Sequence, residues 1–291
     1  MDSIDKTLEN IEAHLAHRVQ KQSEPSEQSQ QKIIQLPLWP ETTRGVPNSV
    51  LRSALFGAVR RGRRAYQQRV EKATIDKIKV LHTGPTLDQA DLDVWEQCLH
   101  LARESGLGTR IEFSAHSFLK AIGRSTGKSQ HEWLKGAFTR LSASVVEIKD
   151  GSRAYWGALL HGGARNEELG CYIIELNPKI QALFGSDCWT QIQWSERQAL
   201  SGHPLAQWLH GFYSTHAKPY PYRAETLRHL CGSETAALWK FRQSLRKALN
   251  VLAEATGWSW WIDDKDLVHI NKRPTKSQAR HLRKKKTTSP F

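Results

Sequence analysis

From position 233 the chain repeats apolar residues first with the period of a helix and then with that of a hairpin. Leu238, Phe241, Leu245, Leu249 and Leu252 recur every three or four residues, Ser233 can cap such a helix, and Gly257 can stop it. That stripe requires a core. Opposite it, at about 100° per residue, fall Trp239, Lys240, Gln243, Arg246, Lys247 and Asn250, a face with three cations, two amides and no carboxylate. Trp258-Ser259-Trp260-Trp261-Ile262, Asp263-Asp264-Lys265-Asp266 and Leu267-Val268-His269-Ile270 then read as strand, turn and strand, with the three tryptophans expected to fill the core. A basic helix followed at once by a hairpin is the layout of a winged-helix module. The exit Asn271-Lys272-Arg273 is placed to reach a flanking backbone or minor groove.

The same plan is expected upstream. The pattern predicts a helix over 88–105 stopped by Gly106, a strand over 110–113, a helix capped by Ser114 and ended near Gly123, and a third helix. That helix buries Leu134, Ala137, Phe138 and Leu141, and it offers Lys128, Lys135, Thr139 and Arg140 to DNA. Strands over 145–149, 153–160 and 171–176 follow as its wing. The second copy runs from Trp194 as a helix to His216, a turn through Pro219 and Pro221, and a helix over 223–230. The fold class that follows is α+β and helix-rich, with two tandem winged-helix domains, 86–190 and 191–275, behind a flexible amino-terminal arm. Residues 1–32 form an amphipathic helix and a disordered polar linker. Residues 33–85 are an extended apolar peptide and a connecting segment, and 276–291 a disordered basic tail.

A net charge of +13 and a pI near 9.7 favour a polyanionic partner over an acidic protein. Arginine can pair with guanine and Gln or Asn with adenine, whereas lysine neutralises phosphate without reading sequence. A solvated face remains the alternative for each basic stretch. It remains so too for Arg60, Arg61, Arg63 and Arg64, which concentrate four guanidiniums in five positions as phosphate contacts. The cysteines Cys98, Cys171, Cys188 and Cys231 are far apart, and no His or Cys pair has metal spacing, so neither a metal nor another cofactor is expected. Gly123 to Ser129 imitates a phosphate loop but has three residues between its glycines instead of four. His161-Gly162-Gly163 lacks the G-x-S-x-G elbow that a hydrolase would need. An enzyme is not expected. With no run of 18 apolar residues and no signal peptide, the chain is expected in the cytoplasm.

Leu36-Pro37-Leu38-Trp39-Pro40-Glu41, then Thr43-Arg44-Gly45-Val46-Pro47-Asn48 and Val50-Leu51-Arg52-Ser53-Ala54-Leu55-Phe56, closely resemble the TrfA replication initiators of broad-host-range IncP-type plasmids. The likeness runs from about Ile33 to Arg273. It implies a protein that binds direct repeats (iterons) in a plasmid origin and opens an adjacent A·T-rich region, whose single strand it also contacts. It implies recruitment of the replicative helicase, with the host initiator, and of the bacterial sliding clamp, no ATPase activity, and a dimer as the inactive form. It also implies a clamp-binding pentapeptide, here Gln35, Leu36, Pro37, Leu38 and Trp39, with Trp where the family pattern has Phe. The same five residues could instead anchor the loop on its own domain. A dimeric winged-helix repressor is the alternative function.

Overall fold

The computed structural model describes residues 34–287, apart from positions 60, 61, 63, 167 and 186, with the backbone alone for 284–287. The amino-terminal helix, its linker and three of the four clustered arginines lie outside the described residues. The order begins with β1 (Thr43–Pro47), α1 (Asn48–Leu51), β2 (Phe56–Gly57), β3 (Tyr66–Lys72), β4 (Lys79–Pro85) and β5 (Leu87–Asp88). It continues through α2 (Gln89–Ser105), β6 (Arg110–Ser114), α3 (Ala115–Ala121), α4 (Lys128–Ser142), β7 (Val145–Asp150), β8 (Arg153–Ala158), β9 (Gly162–Asn166) and β10 (Cys171–Glu175). After a 3-10 turn (Pro178–Leu183) come β11 (Trp189–Gln193), α5 (Trp194–Ala199), α6 (Pro204–Ser214), β12 (Tyr222–Arg223), α7 (Ala224–Leu230), α8 (Leu238–Thr256), β13 (Ser259–Ile262), β14 (Leu267–Asn271) and α9 (Lys276–Thr287).

Two winged helices are visible in the sheet order. β6-β10-β9 surrounds α2, α3 and α4 in the first, and β12-β14-β13 surrounds α6, α7 and α8 in the second, each with its first strand beside its last. The first wing is therefore β9–β10, and β7–β8 is not part of it. That hairpin instead extends a separate four-stranded sheet, β3-β4-β7-β8, with Val80 opposite Ile148 and His82 opposite Val146 on its buried face. Most of residues 34–85, expected as a peptide and connector, belongs to the first core, where β1 pairs with β11 in register from Thr43 with Gln193 to Pro47 with Trp189, and Ala58, Ala73 and Ile75 pack on the second. β9, reading Gly-Gly-Ala-Arg-Asn, carries no apolar alternation and is held by its backbone pairing with β10.

Other boundaries move for local reasons. The single helix expected from Trp194 to His216 is two, because Gly202 takes a positive φ of 85° and Pro204 starts a new helix. α8 begins at Leu238 rather than at Ser233, without a side-chain cap; Arg228 Nη1 instead donates to the carbonyls of Thr235 (3.3 Å) and Ala236 (2.7 Å) in the loop ahead of it. α2 starts from a reciprocal cap in which Asp88 accepts from the amides of Ala90 and Asp91 while Asp91 accepts from the amide of Asp88. Trp258 and Trp260 pack on the second core, but Trp261 alternates outward and is exposed, stacked on His269 at 4.6 Å and 5°. The carboxyl-terminal tail is helical over 276–287.

Arg197, only 1% exposed, joins the two winged helices. Its Nε donates to Asp93 Oδ1 (2.7 Å), Nη1 to Gln89 Oε1 (2.9 Å) and the Gln207 carbonyl (3.0 Å), and Nη2 to the Gln89 carbonyl (3.0 Å). Burial disfavours that charge, but the Asp93 and Glu96 carboxylates outweigh it and raise the arginine pKa. Glu96, 3.9 Å from Arg197 Nε and without a hydrogen bond to either oxygen, is pushed by burial up to about 7.

Candidate nucleic-acid interface

In the second winged helix, α8 turns Phe241, Leu245, Ala248, Leu249 and Leu252 into the core. The opposite face is then set by geometry alone: Trp239, Lys240, Gln243, Arg246, Lys247 and Asn250 are all exposed. These six are the residues singled out in the sequence. The wing is tied to this helix by Arg242, whose Nε and Nη2 donate to Asp266 at 2.9–3.2 Å. The wing turn is built by Asp263, which accepts from the amides of Lys265 (3.0 Å) and Leu267 (2.9 Å), and Asp266 takes a φ of 61°. Neither Arg242 nor Asp263 was read from the sequence as part of the site, because both act by placing the wing. Lys272, expected at the flanking backbone or minor groove, is half-buried instead, with Nζ over the Trp258 ring at 5.2 Å and burial lowering its pKa to about 8. Arg273 is exposed.

In the first winged helix, α4 leaves Lys128 and Thr139 exposed and Lys135 half-buried, with Lys135 Nζ 2.9 Å from Glu132. A groove between α4 and the wing is lined by Thr126, Lys128, His131, Glu132, Lys135, Arg165, Gly170 and Tyr172. His131 and Arg165 were missed in the sequence because only the pairing of β9 with β10 brings the wing beside α4. Arg140 does not belong to this surface. Its Nε and Nη2 donate to Asp91 Oδ1 at 3.0 and 2.6 Å, and the Asp91 carboxylate is wholly buried, so the arginine neutralises a core charge. Arg64 is likewise spent on the Asp88 carboxylate and lies 3.9 Å from Asp91. The loop that imitates a phosphate site, 123–129, is the turn between α3 and α4 together with the first two residues of α4.

The protein family described as TrfA protein matches residues 3–273. The chain belongs to the TrfA family. It is a plasmid replication initiator, 27% identical over 274 residues to the plasmid replication initiator protein TrfA of Escherichia coli, a match that covers 90% of this chain and 70% of that protein. Among solved structures, domains 2 and 3 of RctB align over 77% of this chain and 96% of theirs with a TM-score of 0.53 and 12% identity. The Pi initiator protein in complex with iteron DNA aligns over 81% and 99% with a TM-score of 0.51 and 13% identity. At those identities the likeness is one of fold.

The TrfA-family segment 35–39 is not a detached arm in this fold. Leu36 (1% exposed) and Trp39 (4%) sit in the first core, while Leu38 (69%) and Gln35 are exposed. Trp39 Nε1 donates to His100 Nδ1 (3.0 Å), its ring stacks on Phe184 at 6.1 Å, and its face lies on the Gly45 backbone, where an added Cβ would come within 2.5 Å of the ring. Gln35 donates to the Arg103 carbonyl, and Arg103 and His100 both bind Glu41. The Arg-Gly-Val-Pro string therefore has a packing role: its glycine makes room for the indole. Among the described residues no helix is long and apolar enough to cross a membrane.

Proposed function

We propose that this TrfA-family initiator binds direct repeats in its plasmid origin by laying α8 in the major groove, with its wing on the adjoining backbone. The observation that carries this reading is the exposed, carboxylate-free face of Trp239, Lys240, Gln243, Arg246, Lys247 and Asn250 on the helix that precedes a wing. Lys128, Lys135, Thr139 and Arg165 of the first winged helix take the neighbouring backbone, which gives one chain two grips on one duplex. The fold likeness to an initiator solved with iteron DNA supports the same assignment. Binding then opens an adjacent A·T-rich region, whose single strand the protein holds, and brings in the host helicase and sliding clamp; the protein acts by binding, not by catalysis.

Contact with the clamp through residues 35–39 requires the segment to leave its seat, since Leu36 and Trp39 are buried. Leu38 is the apolar side chain of the segment that a partner can reach without that step, beside the exposed Gln35. The deciding experiment compares affinity for direct repeats, inverted repeats and shuffled duplex, with the mass of each complex. Preference for direct repeats at one chain per repeat supports the initiator, whereas a two-chain complex on inverted repeats would mean a dimeric repressor.

A further inference from the structure

Helix α9 lies beyond residue 273, where the family match ends, yet it is built into the second winged helix. Thr275 and Gln278 form a reciprocal cap: the Thr275 amide donates to Gln278 Oε1 (3.1 Å), and the Gln278 amide to Thr275 Oγ1 (3.3 Å). The same glutamine fastens the helix to its domain. Its Nε2 donates to the Ser214 carbonyl at the end of α6 (2.8 Å), and its Oε1 accepts from Lys272 Nζ (3.4 Å). Gln278, Ala279 and Leu282 are half-buried, whereas Lys276 and Arg280 are exposed. Residues 276–287 hold six Lys and Arg, and no Asp or Glu follows Asp266.

We propose that α9 is a second nucleic-acid contact of the reading domain, laid along the phosphates of duplex DNA that flanks the repeat held by α8. A 12-residue helix is about 18 Å long, enough to follow several phosphates, and it leaves from the base of the wing at the end of β14. Its charge sign matches that of the α8 face on the same domain, so one polyanion can satisfy both. An anionic membrane is the less suitable occupant, because the apolar side is limited to Ala279 and Leu282 and both turn toward the protein. The fixed start matters as much as the charge: Gln278 holds the helix in one direction, so Lys276 and Arg280 are presented without the ordering cost of a free tail.

The assignment rests on α8 as the reading helix, and the test separates the two. The full chain, K276Q/R280Q and Q278A are titrated by fluorescence anisotropy over a range of salt concentrations. The duplexes are one origin repeat alone, the same repeat extended by about ten base pairs on each side, and an extended shuffled duplex. K276Q/R280Q is expected to lower affinity on both extended duplexes and to reduce the slope of log K against log salt by about 1.8, while leaving the bare repeat unchanged. Q278A is expected to weaken the extended complexes although it removes no charge. Equal slopes for all three proteins on the extended duplexes would overturn the proposal. So would loss of binding by K276Q/R280Q only to phosphatidylglycerol vesicles. Failure of the wild type to prefer the repeat over the shuffled duplex strikes α8 and not α9, because phosphate contacts are blind to sequence and the slope difference would persist.

Discussion

Truncating Trp39 tests whether residues 35–39 are an arm or part of the first core. Trp39→Ala empties a site in which the indole is 4% exposed, stacked on Phe184 and tilted against Trp189 at 5.7 Å. Removing a buried tryptophan costs about 3–5 kcal/mol, and losing its hydrogen bond to His100 adds about 1 kcal/mol. Because a domain is stable by only about 5–15 kcal/mol, a first winged helix so altered should stand at the edge of unfolding. Trp39→Phe keeps most of the volume and loses the Nε1 donor, for an expected cost of about 1–3 kcal/mol. Leu38→Ala, at a side chain 69% exposed, should change stability by less than about 0.5 kcal/mol. Urea unfolding of the three variants and the parent, followed by far-ultraviolet circular dichroism, measures the series. Trp39→Ala and Trp39→Phe both within 0.5 kcal/mol of the parent would refute the packing and restore the arm. The series also bears on the clamp, since a Trp39 variant that fails to bind it is confounded by unfolding, whereas Leu38→Ala is not.

Gln243→Ala and Arg246→Ala should each cost about 1–3 kcal/mol on the cognate repeat and little on shuffled duplex, while Lys247→Ala weakens both alike. Uniform losses for all three by competition binding would show that α8 does not read bases. Arg140→Ala should leave repeat affinity of the folded fraction unchanged and destabilise the first domain by about 3 kcal/mol, the low end for a broken buried pair because Arg64 remains 3.9 Å from Asp91; a DNA-binding loss at unchanged melting temperature would contradict it. Burial holds His82, His100 and His216 down to about 4 from 6.5, so the stabilisation they give is complete above pH 6.5 and is lost as pH falls towards 4. Glu96, raised from 4.5 to about 7, works the other way, losing stability as pH rises across that interval, as do Asp91 and Asp93, whose carboxyls burial raises; His210, lowered by burial, and Glu41, lowered by its hydrogen bond to His100, act with the three imidazoles. The melting temperature should therefore drop between pH 6.5 and 4.5, and a rise in calorimetry would count against these buried imidazoles.

What was legible in the sequence was what local pattern dictates. α2, α3, α4 and α8 follow from apolar spacing and from Ser114 and Gly257, and the exposed face of α8 follows from that spacing too. What was not legible depends on partners far along the chain. Arg140 looks like any outward cation on α4 until Asp91, 49 residues earlier, comes to lie beneath it. β3 reads as Tyr-Gln-Gln-Arg-Val-Glu-Lys, with almost no apolar signal, and exists because β4 pairs with it. The choice of β9–β10 over β7–β8 as the first wing is a choice of strand neighbours, because β7–β8 carries the local strand signal while β9 is a strand only through its pairing with β10. In the tail, a count of charges predicted disorder, and the cap made by Thr275 and Gln278 was overlooked.

The Arg197 junction has a consequence for the length of DNA that one chain can accept. Four of the five guanidinium hydrogens are committed, to Asp93, to Gln89 twice and to Gln207, so swivelling one winged helix against the other would strand buried donors. The two proposed grips would thus behave as the jaws of a fixed caliper rather than as beads on a string. A caliper measures phase as well as distance: about five base pairs inserted between the two contact sites turn the second site to the far side of the helix, where the second jaw cannot follow. On the proposed two-grip binding, the spacing accepted within each repeat is set by buried contacts such as those of Arg197, away from the DNA-facing helices.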